Sequence, residues 1–204
     1  ETMVVEQVEK SAKKSFAPGL YDLTELQRDA NRRFGFSAKE TLNIMQRLYE
    51  NHKVLTYPRT DSKYIGNDVV DTLKDRLRAV SVGPYKKLAG SLIMKPIKVN
   101  KSFVDDKKVS DHHAIIPTEQ FVQLEHIDQT RSEKLYDLVV RRFLSVLYPP
   151  FEYEQTTLIG KAAGERFAAR GKIVNMWAGK KSMNWETEMR QMWKNSCQNS
   201  HFRK

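Results

Sequence analysis

The segment from Leu55 to Ser62 contains the residue types that phosphoryl transfer needs. Its sequence is Leu-Thr-Tyr-Pro-Arg-Thr-Asp-Ser, so the hydroxyl of Tyr57 lies two residues before the guanidinium of Arg59. A phenol can act as a nucleophile, and a guanidinium can hold a phosphate. Pro58 fixes its own φ near roughly −65° and favours extended geometry in the residue before it, which predicts a defined non-helical segment. A lone Tyr-Pro-Arg more often marks a turn, so the interpretation depends on the rest of the chain.

A second polar group lies in the segment from Ser110 to Thr118. It contains Asp111, His112 and His113, followed by an apolar stretch. Histidines beside an acid can supply a proton or a phosphate contact near neutral pH. Pairs of this kind are more often structural, so both interpretations remain open from the residues alone.

Composition excludes several classes of protein. The 204 residues are 40% hydrophobic and 29% charged, as in globular proteins. The single cysteine, Cys197, excludes an internal disulfide, and the five histidines show no zinc-site spacing. No apolar run approaches the roughly 20 residues that a membrane span needs. These features predict no membrane partner, no metal ligands and a reducing, intracellular location.

The net charge favours a polyanionic partner. It is +10 at pH 7, and nucleic-acid phosphates attract such proteins. Six of the 35 Lys and Arg residues lie in the last 27 residues, where only two glutamates oppose them. The remainder of the chain therefore gives a moderate nucleic-acid signal.

Two predicted helices lead into the tyrosine segment. Thr24–Gln27 has the form of a capping box, and we expect a helix from there to about Gly35. Ser37–Glu40 is a second capping box, which opens a helix that ends near Asn51. These helices should support the extended segment that carries Tyr57.

Further helices follow the tyrosine segment. We expect one over Asn67–Val80, with Lys74, Arg76 and Arg78 on a solvated face. A shorter helix over Tyr85–Leu92 and a long loop over Met94–Val109 should follow. A third capping box at Thr130–Glu133 predicts a helix that Pro149-Pro150 stops; its inward residues would be Leu135, Leu138, Val139, Phe143 and Val146, with Arg141 beside them.

The two ends of the chain have strand character. Thr2–Glu9 favours a short edge strand, and Ser11–Gly19 a connection. Tyr153–Ile159 and Glu165–Val174 predict a hairpin. The fold class is therefore α+β, with a mainly helical, tyrosine-bearing domain inserted in a partial β arch. The predicted boundaries are 1–17 and 153–177 for the arch, 18–152 for the helical domain and 178–204 for a tail.

The tail differs in composition from the rest of the chain. The change begins at about Trp177, and from that residue onward the chain holds all three tryptophans and the only cysteine. One hypothesis is a terminal amphipathic helix. The other hypothesis is a frameshift near Ala178. Codons that can encode the tail can be chosen so that a neighbouring reading frame contains no stop codon. The absence of an initiator methionine also indicates a chain cut from a longer protein.

Four blocks in the chain resemble one enzyme family. With Tyr57, Arg59 and the histidines placed, the chain resembles the type IA DNA topoisomerases, closest to the bacterial topoisomerase III branch. The blocks are Leu20–Asn31, Phe34–Leu42, Thr56–Ser62 and Ser110–Thr118. They occur in the family's order, which makes the signal specific. The helix from Ser132 and the strands to Val174 resemble the family more weakly.

The resemblance implies a role for individual residues. It implies that Tyr57 attacks a single-stranded DNA phosphate and becomes linked to the 5′ end, so that the phosphodiester energy is kept for religation. Arg59 resembles the arginine that contacts this phosphate, and His112 the histidine near it. The residues implied at the DNA are Thr60, Asp61, Ser62, Asp111 and His113. Of these, Thr60, Asp61 and Ser62 are expected to shape the loop and the DNA contact, and Asp111 is also a candidate for orienting His112.

The resemblance also implies that part of the active site lies elsewhere. In the family an N-terminal domain holds Mg²⁺ in an acidic cluster, and this chain has no Asp-x-Asp motif of that kind. We therefore expect an enzyme fragment that binds mainly single-stranded DNA, binds no metal itself and cannot relax DNA alone. The expected location is the bacterial cytoplasm, at the nucleoid. The alternative is a non-catalytic nucleic-acid-binding module, and no pattern indicates the oligomeric state.

Overall fold

The computed structural model describes residues 4–124, 127 and 131–173, which form two compact units. Within that range, one unit comprises residues 4–16 and 149–173, and the other comprises residues 17–148. No helix in these residues is long and apolar enough to cross a membrane. The predicted tail and Thr130 lie outside the described residues.

The first unit is an antiparallel sheet of three strands in the order β1-β2-β3. The strands are β1 (Val4–Ser15), β2 (Phe151–Ala162) and β3 (Glu165–Ile173). Ala163 and Gly164 form the turn between β2 and β3, with φ of 52° and 86°. The predicted hairpin is confirmed.

The predicted connection over Ser11–Gly19 is wrong in its first part, because β1 continues to Ser15. Its pairing with β2 begins at Val4 opposite Lys161 and reaches Ser15 opposite Phe151, with one irregularity. Cross-strand ion pairs accompany this extension: Lys10 lies 3.4 Å from Glu154, and Lys14 lies 2.9 Å from Glu152. Long-range pairing with β2 therefore decides the end of β1, against the local composition.

The second unit is built from six helices and contains a hydrophobic core. Their bounds are α1 (Leu23–Phe34), α2 (Ala38–Glu50), α3 (Asn67–Val70), α4 (Leu73–Ala79), α5 (Lys86–Ile93) and α6 (Ser132–Leu147). Two 3₁₀ turns lie at Gly83–Tyr85 and Asp106–Lys108. The five inward residues predicted for α6 are all buried. The α+β class is confirmed.

The single helix expected over Asn67–Val80 is interrupted between α3 and α4. Thr72 lies at the break, and its hydroxyl donates to the Val69 carbonyl at 2.8 Å. The same hydroxyl accepts from Nε of Arg76 at 2.9 Å. Threonine side chains that bond the preceding turn compete with regular helical bonding, which gives a physical reason for the break.

The first predicted capping box is wrong, whereas the second is confirmed at its capping serine. The N-cap of α1 is Asp22, whose carboxylate accepts from the Glu25 amide at 2.6 Å. Ser37 caps α2 and accepts from the Glu40 amide at 3.1 Å. In α6 the N-cap position is Arg131, which makes no side-chain cap bond.

The position of the α1 cap predicts how two neighbouring substitutions differ. We expect Asp22→Ala to lower the free energy of unfolding by about 1 kcal/mol, because one amide at the helix start loses its acceptor. Thr24→Ala should change it by less than about 0.5 kcal/mol. Asp22→Asn keeps a capping oxygen and serves as the control for the lost charge beside Lys63. Urea denaturation measures all three, and a larger loss for Thr24→Ala than for Asp22→Ala would contradict the assignment.

Candidate active site

Thr56 connects the tyrosine segment to the histidine segment through three hydrogen bonds. Its amide donates to the Ile116 carbonyl at 2.9 Å. Its hydroxyl donates to the Ala114 carbonyl at 3.2 Å and accepts from the Ile116 amide at 3.0 Å. Leu55 also forms an antiparallel bridge with Pro117. The end of the tyrosine segment next to α2 is therefore fixed against the histidine segment.

Thr60 and Ser62 provide a second set of connections, and both are buried. Only 7% of Thr60 and 5% of Ser62 is exposed. The Thr60 hydroxyl donates to the His112 carbonyl at 2.9 Å and accepts from the Ser62 amide at 3.1 Å. The Ser62 hydroxyl donates to the Lys108 carbonyl at 2.8 Å. Since main-chain groups occupy both hydroxyls, the geometry favours a positioning role for these residues.

The ring of Tyr57 contacts two other aromatic rings. Its centroid is 4.3 Å from that of His112, with the planes 42° apart. Tyr49 of α2 lies edge-on to it, with the centroids 5.5 Å apart. Such contacts restrict the orientation of the phenol.

Tyr57 also lines two open clefts. The larger has a volume of about 590 Å³ and the smaller about 310 Å³. Thr56, Tyr57 and His113 line both clefts, while Asp111 and His112 line the smaller one. A ligand in either cleft therefore meets Tyr57.

Arg59 is exposed and is not consumed by an ion pair within the described residues. Its Nη2 donates to Oε1 of Gln46 in α2 at 3.4 Å, a long and neutral contact. Asp61 accepts from the Ser110 hydroxyl at 3.2 Å. The structure thus brings Tyr57 and His112 into contact, while the guanidinium of Arg59, two residues after Tyr57 in the chain, is exposed and contacts Gln46 of α2.

Arg76 is a buried part of this region that the sequence did not reveal. We expected it on a solvated face, but only 8% of it is exposed. Its Nη1 donates to the Pro117 carbonyl at 2.7 Å, and its Nη2 lies 2.8 Å from Glu119. Arg76 therefore holds the end of the histidine segment against α4. The local sequence sign of this burial is Thr72, four residues before Arg76, whose hydroxyl accepts from Nε of Arg76.

His113 is partly buried, and burial is the main cause that lowers its pKa. The positive charge of Arg76 and of His112 lowers the pKa further, whereas the Ala114 carbonyl and Asp68 oppose the shift. Nδ1 lies 2.7 Å from the Ala114 carbonyl, which fixes this nitrogen as the donor. The folded chain therefore favours neutral His113.

This lowered pKa predicts an acid-sensitive fold. A histidine whose pKa is lower in the folded state binds fewer protons there than in the unfolded state, so stability is lost as pH falls below roughly 6.5. We expect His113→Asn to reduce this loss between pH 7.5 and 5.5, by at most about 1.4 kcal/mol per pH unit. Urea denaturation at several pH values measures it, with His112→Asn as the exposed control. An identical pH profile for His113→Asn and the parent chain would contradict the assignment.

The described residues contain no group of three or more His, Cys, Asp or Glu side chains arranged to hold a metal ion. Asp68, Asp111, His112 and His113 line the smaller cleft, but no three of these side chains are arranged to hold a metal ion. The Mg²⁺ that the family resemblance implies therefore has no fitting site in this part of the chain.

Comparisons with known proteins show the family to which the chain is similar. Residues 1–196 match the DNA topoisomerase family. DNA topoisomerase 3 of Bacillus cereus (strain ATCC 10987) is 65% identical over 170 residues, which is 83% of this chain and 23% of that protein. DNA topoisomerase 3 of Bacillus subtilis (strain 168) is 57% identical over 171 residues, 84% of this chain and again 23% of the relative.

A solved structure also matches. Full-length topoisomerase I from Thermotoga maritima shares 27% identity and superposes with a TM-score of 0.61, covering 84% of this chain and 28% of that one. The chain thus spans about a quarter of the length of the relatives it matches. Because nearly all of its sequence matches the family, the chain belongs to the type IA DNA topoisomerases.

Proposed function

We propose that this chain supplies the tyrosine-bearing part of an enzyme that breaks and rejoins single-stranded DNA to change its topology. The observation that carries the proposal is the contact between the Tyr57 and His112 rings at the wall of the smaller cleft. The exposed guanidinium of Arg59 lies two residues away in sequence. A nucleophile and an imidazole thus line one open cleft, and the segment that carries the nucleophile also carries an exposed cation.

The proposed step conserves the phosphodiester. Oη of Tyr57 attacks the phosphorus, the new bond joins Oη to phosphorus, and the bond from phosphorus to the 3′ oxygen breaks. Overall, the phenolic proton passes to the departing 3′ oxygen, which becomes a hydroxyl. The products are a 5′-phosphotyrosine and a free 3′ end, and attack by that hydroxyl reverses the step. No water or other reactant is consumed.

Arg59 and His112 have distinct roles in this proposal. The guanidinium of Arg59 pairs with the phosphate oxygens as negative charge develops on them. His112 orients the Tyr57 ring, which it contacts directly, and lies close enough to the smaller cleft to donate to the phosphate. Asp111 and His113 line the same cleft and are proposed to contact the strand there.

The remaining polar residues support the arrangement. Thr60 and Ser62 hold the tyrosine segment through hydrogen bonds from their hydroxyls to main-chain carbonyls. Asp61 is proposed to lie on the protein surface that contacts DNA.

We also propose that the helical domain, with the predicted boundaries 18–152, is inserted in a β arch to which both strand segments belong. Mg²⁺ would be held by other parts of the whole enzyme. Because the proposed substrate is DNA, we propose that the whole enzyme acts in the bacterial cytoplasm, at the nucleoid.

A chimera tests this function. The matching segment of Bacillus cereus DNA topoisomerase 3 is replaced by this chain, and the product is incubated with single-stranded DNA labelled at one end. We expect a covalent protein–DNA adduct on a denaturing gel that retains a 3′-end label and releases a 5′-end label. Retention of the 5′-end label instead would contradict the proposed polarity.

The same experiment decides against the alternative function. A chimera that binds DNA but forms no adduct, while the parent Bacillus enzyme does, would favour the non-catalytic nucleic-acid-binding module. The net charge of +10 is compatible with that alternative, so binding alone does not separate the two.

A further inference from the structure

A third cleft lies at the beginning of α2, and none of its lining residues lines the two clefts at Tyr57. Its volume is about 280 Å³. The charged and amide side chains that line it are Lys39, Glu40, Asn43, Arg47 and Arg131. Its chemistry is therefore cationic, with one carboxylate.

Two of the three cationic side chains that line this cleft form no ion pair in the part of the chain that the structure describes. Lys39 and Arg47 are exposed, and neither forms an ion pair within residues 4–124, 127 and 131–173. Arg131 forms an ion pair with Glu40, so the single carboxylate is already neutralised. The cleft thus has two positive charges without a counter-ion in the described chain. Such a site attracts anions, and most strongly a chain of them.

The spacing of these side chains suits a polymer. Lys39, Asn43 and Arg47 are four residues apart in sequence, which places them along one face of α2. Eight helical residues span about 12 Å, and a stacked strand advances about 3.4 Å per nucleotide. The face therefore matches roughly three to four nucleotides.

The basic face is continuous with the residues at Tyr57 through the middle of α2. Gln46, next to Arg47 in sequence, accepts from Arg59 at 3.4 Å. Gln46 also donates to Glu50 at 3.0 Å, and Glu50 lines the larger Tyr57 cleft. Glu50 is a carboxylate, so it repels an anionic strand.

We propose that this cleft binds the phosphate backbone of the single strand that flanks the one at Tyr57. The choice of strand depends on the proposed function, whereas the binding of phosphates depends only on the cleft. Lys39 and Arg47 pair with backbone phosphates, and Asn43 donates its amide between them. Arg59 begins the same line of cations, so α2 holds the strand in register with the nucleophile.

Equilibrium binding to the 204-residue chain tests the proposal. The probe is a fluorescein-labelled single strand of mixed sequence, titrated by anisotropy at several salt concentrations. We expect the double variant Lys39→Gln/Arg47→Gln to bind about tenfold or more weakly at low salt. The slope of log affinity against log salt is negative, and in the double variant it should be less steep by about 1.4. Each of the two lost single-strand phosphate contacts contributes about 0.7 to its magnitude.

A matched control removes the same charge elsewhere. Lys74→Gln/Lys87→Gln loses two exposed lysines from α4 and α5, outside the three clefts. We expect less than a twofold change in affinity. If the control weakens binding as much as the cleft variant, net charge alone explains the effect and the proposal is overturned. A loss confined to duplex DNA of the same sequence would overturn the assignment to a single strand.

A gain of affinity excludes misfolding as the explanation. Asn43→Lys adds a third uncommitted cation to the line and should tighten binding several-fold, whereas Asn43→Glu should weaken it. No tightening with Asn43→Lys would count against the cleft. Because these measurements involve no chemistry, they are independent of the adduct test: an adduct without the binding change overturns this inference alone, and the reverse outcome overturns the proposed function alone.

Discussion

Replacing Tyr57 with phenylalanine should abolish the covalent adduct in the chimera. Phenylalanine lacks the Oη that attacks phosphorus, yet its ring can keep the contacts with Tyr49 and His112. Removal of a nucleophile costs on the order of 10⁴-fold or more in rate, which takes the adduct below detection. DNA binding should remain within about twofold, because no phosphate contact of Arg59 or of α2 is removed.

Tyr49 provides the matched control. It is the neighbouring tyrosine, 5.5 Å away and edge-on to Tyr57, and it lines the larger cleft. Tyr49→Phe loses a hydroxyl in the same cleft but should still form the adduct at a comparable rate. Peptide mass spectrometry identifies the modified residue. An adduct that persists in Tyr57→Phe, or that maps to Tyr49, would disprove the assignment of the nucleophile.

The sequence identified both halves of the candidate site but not the way they are joined. The segments at Tyr57 and His112 were recognisable from their residue types and from the family resemblance. The bonds from Thr56 to Ala114 and from Thr60 to His112 link positions 58 and 52 residues apart. Local propensity and periodicity carry no information about such bonds. For this reason the sequence predicts only that Thr60 and Ser62 shape the loop and the DNA contact, and the structure adds the main-chain carbonyls to which their buried hydroxyls donate.

Secondary structure was predictable where local signals decide it. Ser37, Gly35 and the apolar stripe of α6 each act within a few residues, and the corresponding helix ends and faces are confirmed. The errors arise where two local signals compete or where a distant partner decides. Asp22 takes the α1 cap although Thr24 also fits the pattern, and β2 extends β1 beyond its apolar part.

Arg142 shows most clearly that contacts with distant residues are not predictable from local sequence. The sequence pattern indicated a role only for its neighbour Arg141. Arg142 is 5% exposed and lies 2.9 Å from Asp29, which is 2% exposed. Its Nη1 donates to the Gly19 carbonyl at 3.1 Å, and its guanidinium lies 4.1 Å from the centroid of the Tyr21 ring. Burial raises the pKa of Tyr21, so its hydroxyl stays protonated and donates to Asp29 at 2.5 Å. This buried network joins α1 and α6 to the segment that enters α1.

Tyr21 also links this network to the candidate site. Its carbonyl accepts from the Ile115 amide at 2.8 Å, and Ile115 lies three residues after His112. Loss of the network should therefore loosen the histidine segment as well as the helices. The expected effect on stability is large, because removal of Arg142 takes away the buried one of the two cationic partners of Asp29.

We expect Arg142→Met to lower the free energy of unfolding by about 3 kcal/mol, the lower end of the range for breaking a buried ion pair, because Asp29 keeps its bonds to Tyr21 and Arg32. Arg141→Met is the matched control: Arg141 is one residue away and 38% exposed, and its ion pair with Asp137 should contribute less than about 1 kcal/mol. Urea denaturation at pH 7 measures both. Equal losses for the two variants would mean that Asp29 is satisfied without Arg142. A difference of about 2 kcal/mol or more would place the stabilising charge pair in the core, where it also fixes the histidine segment through Tyr21.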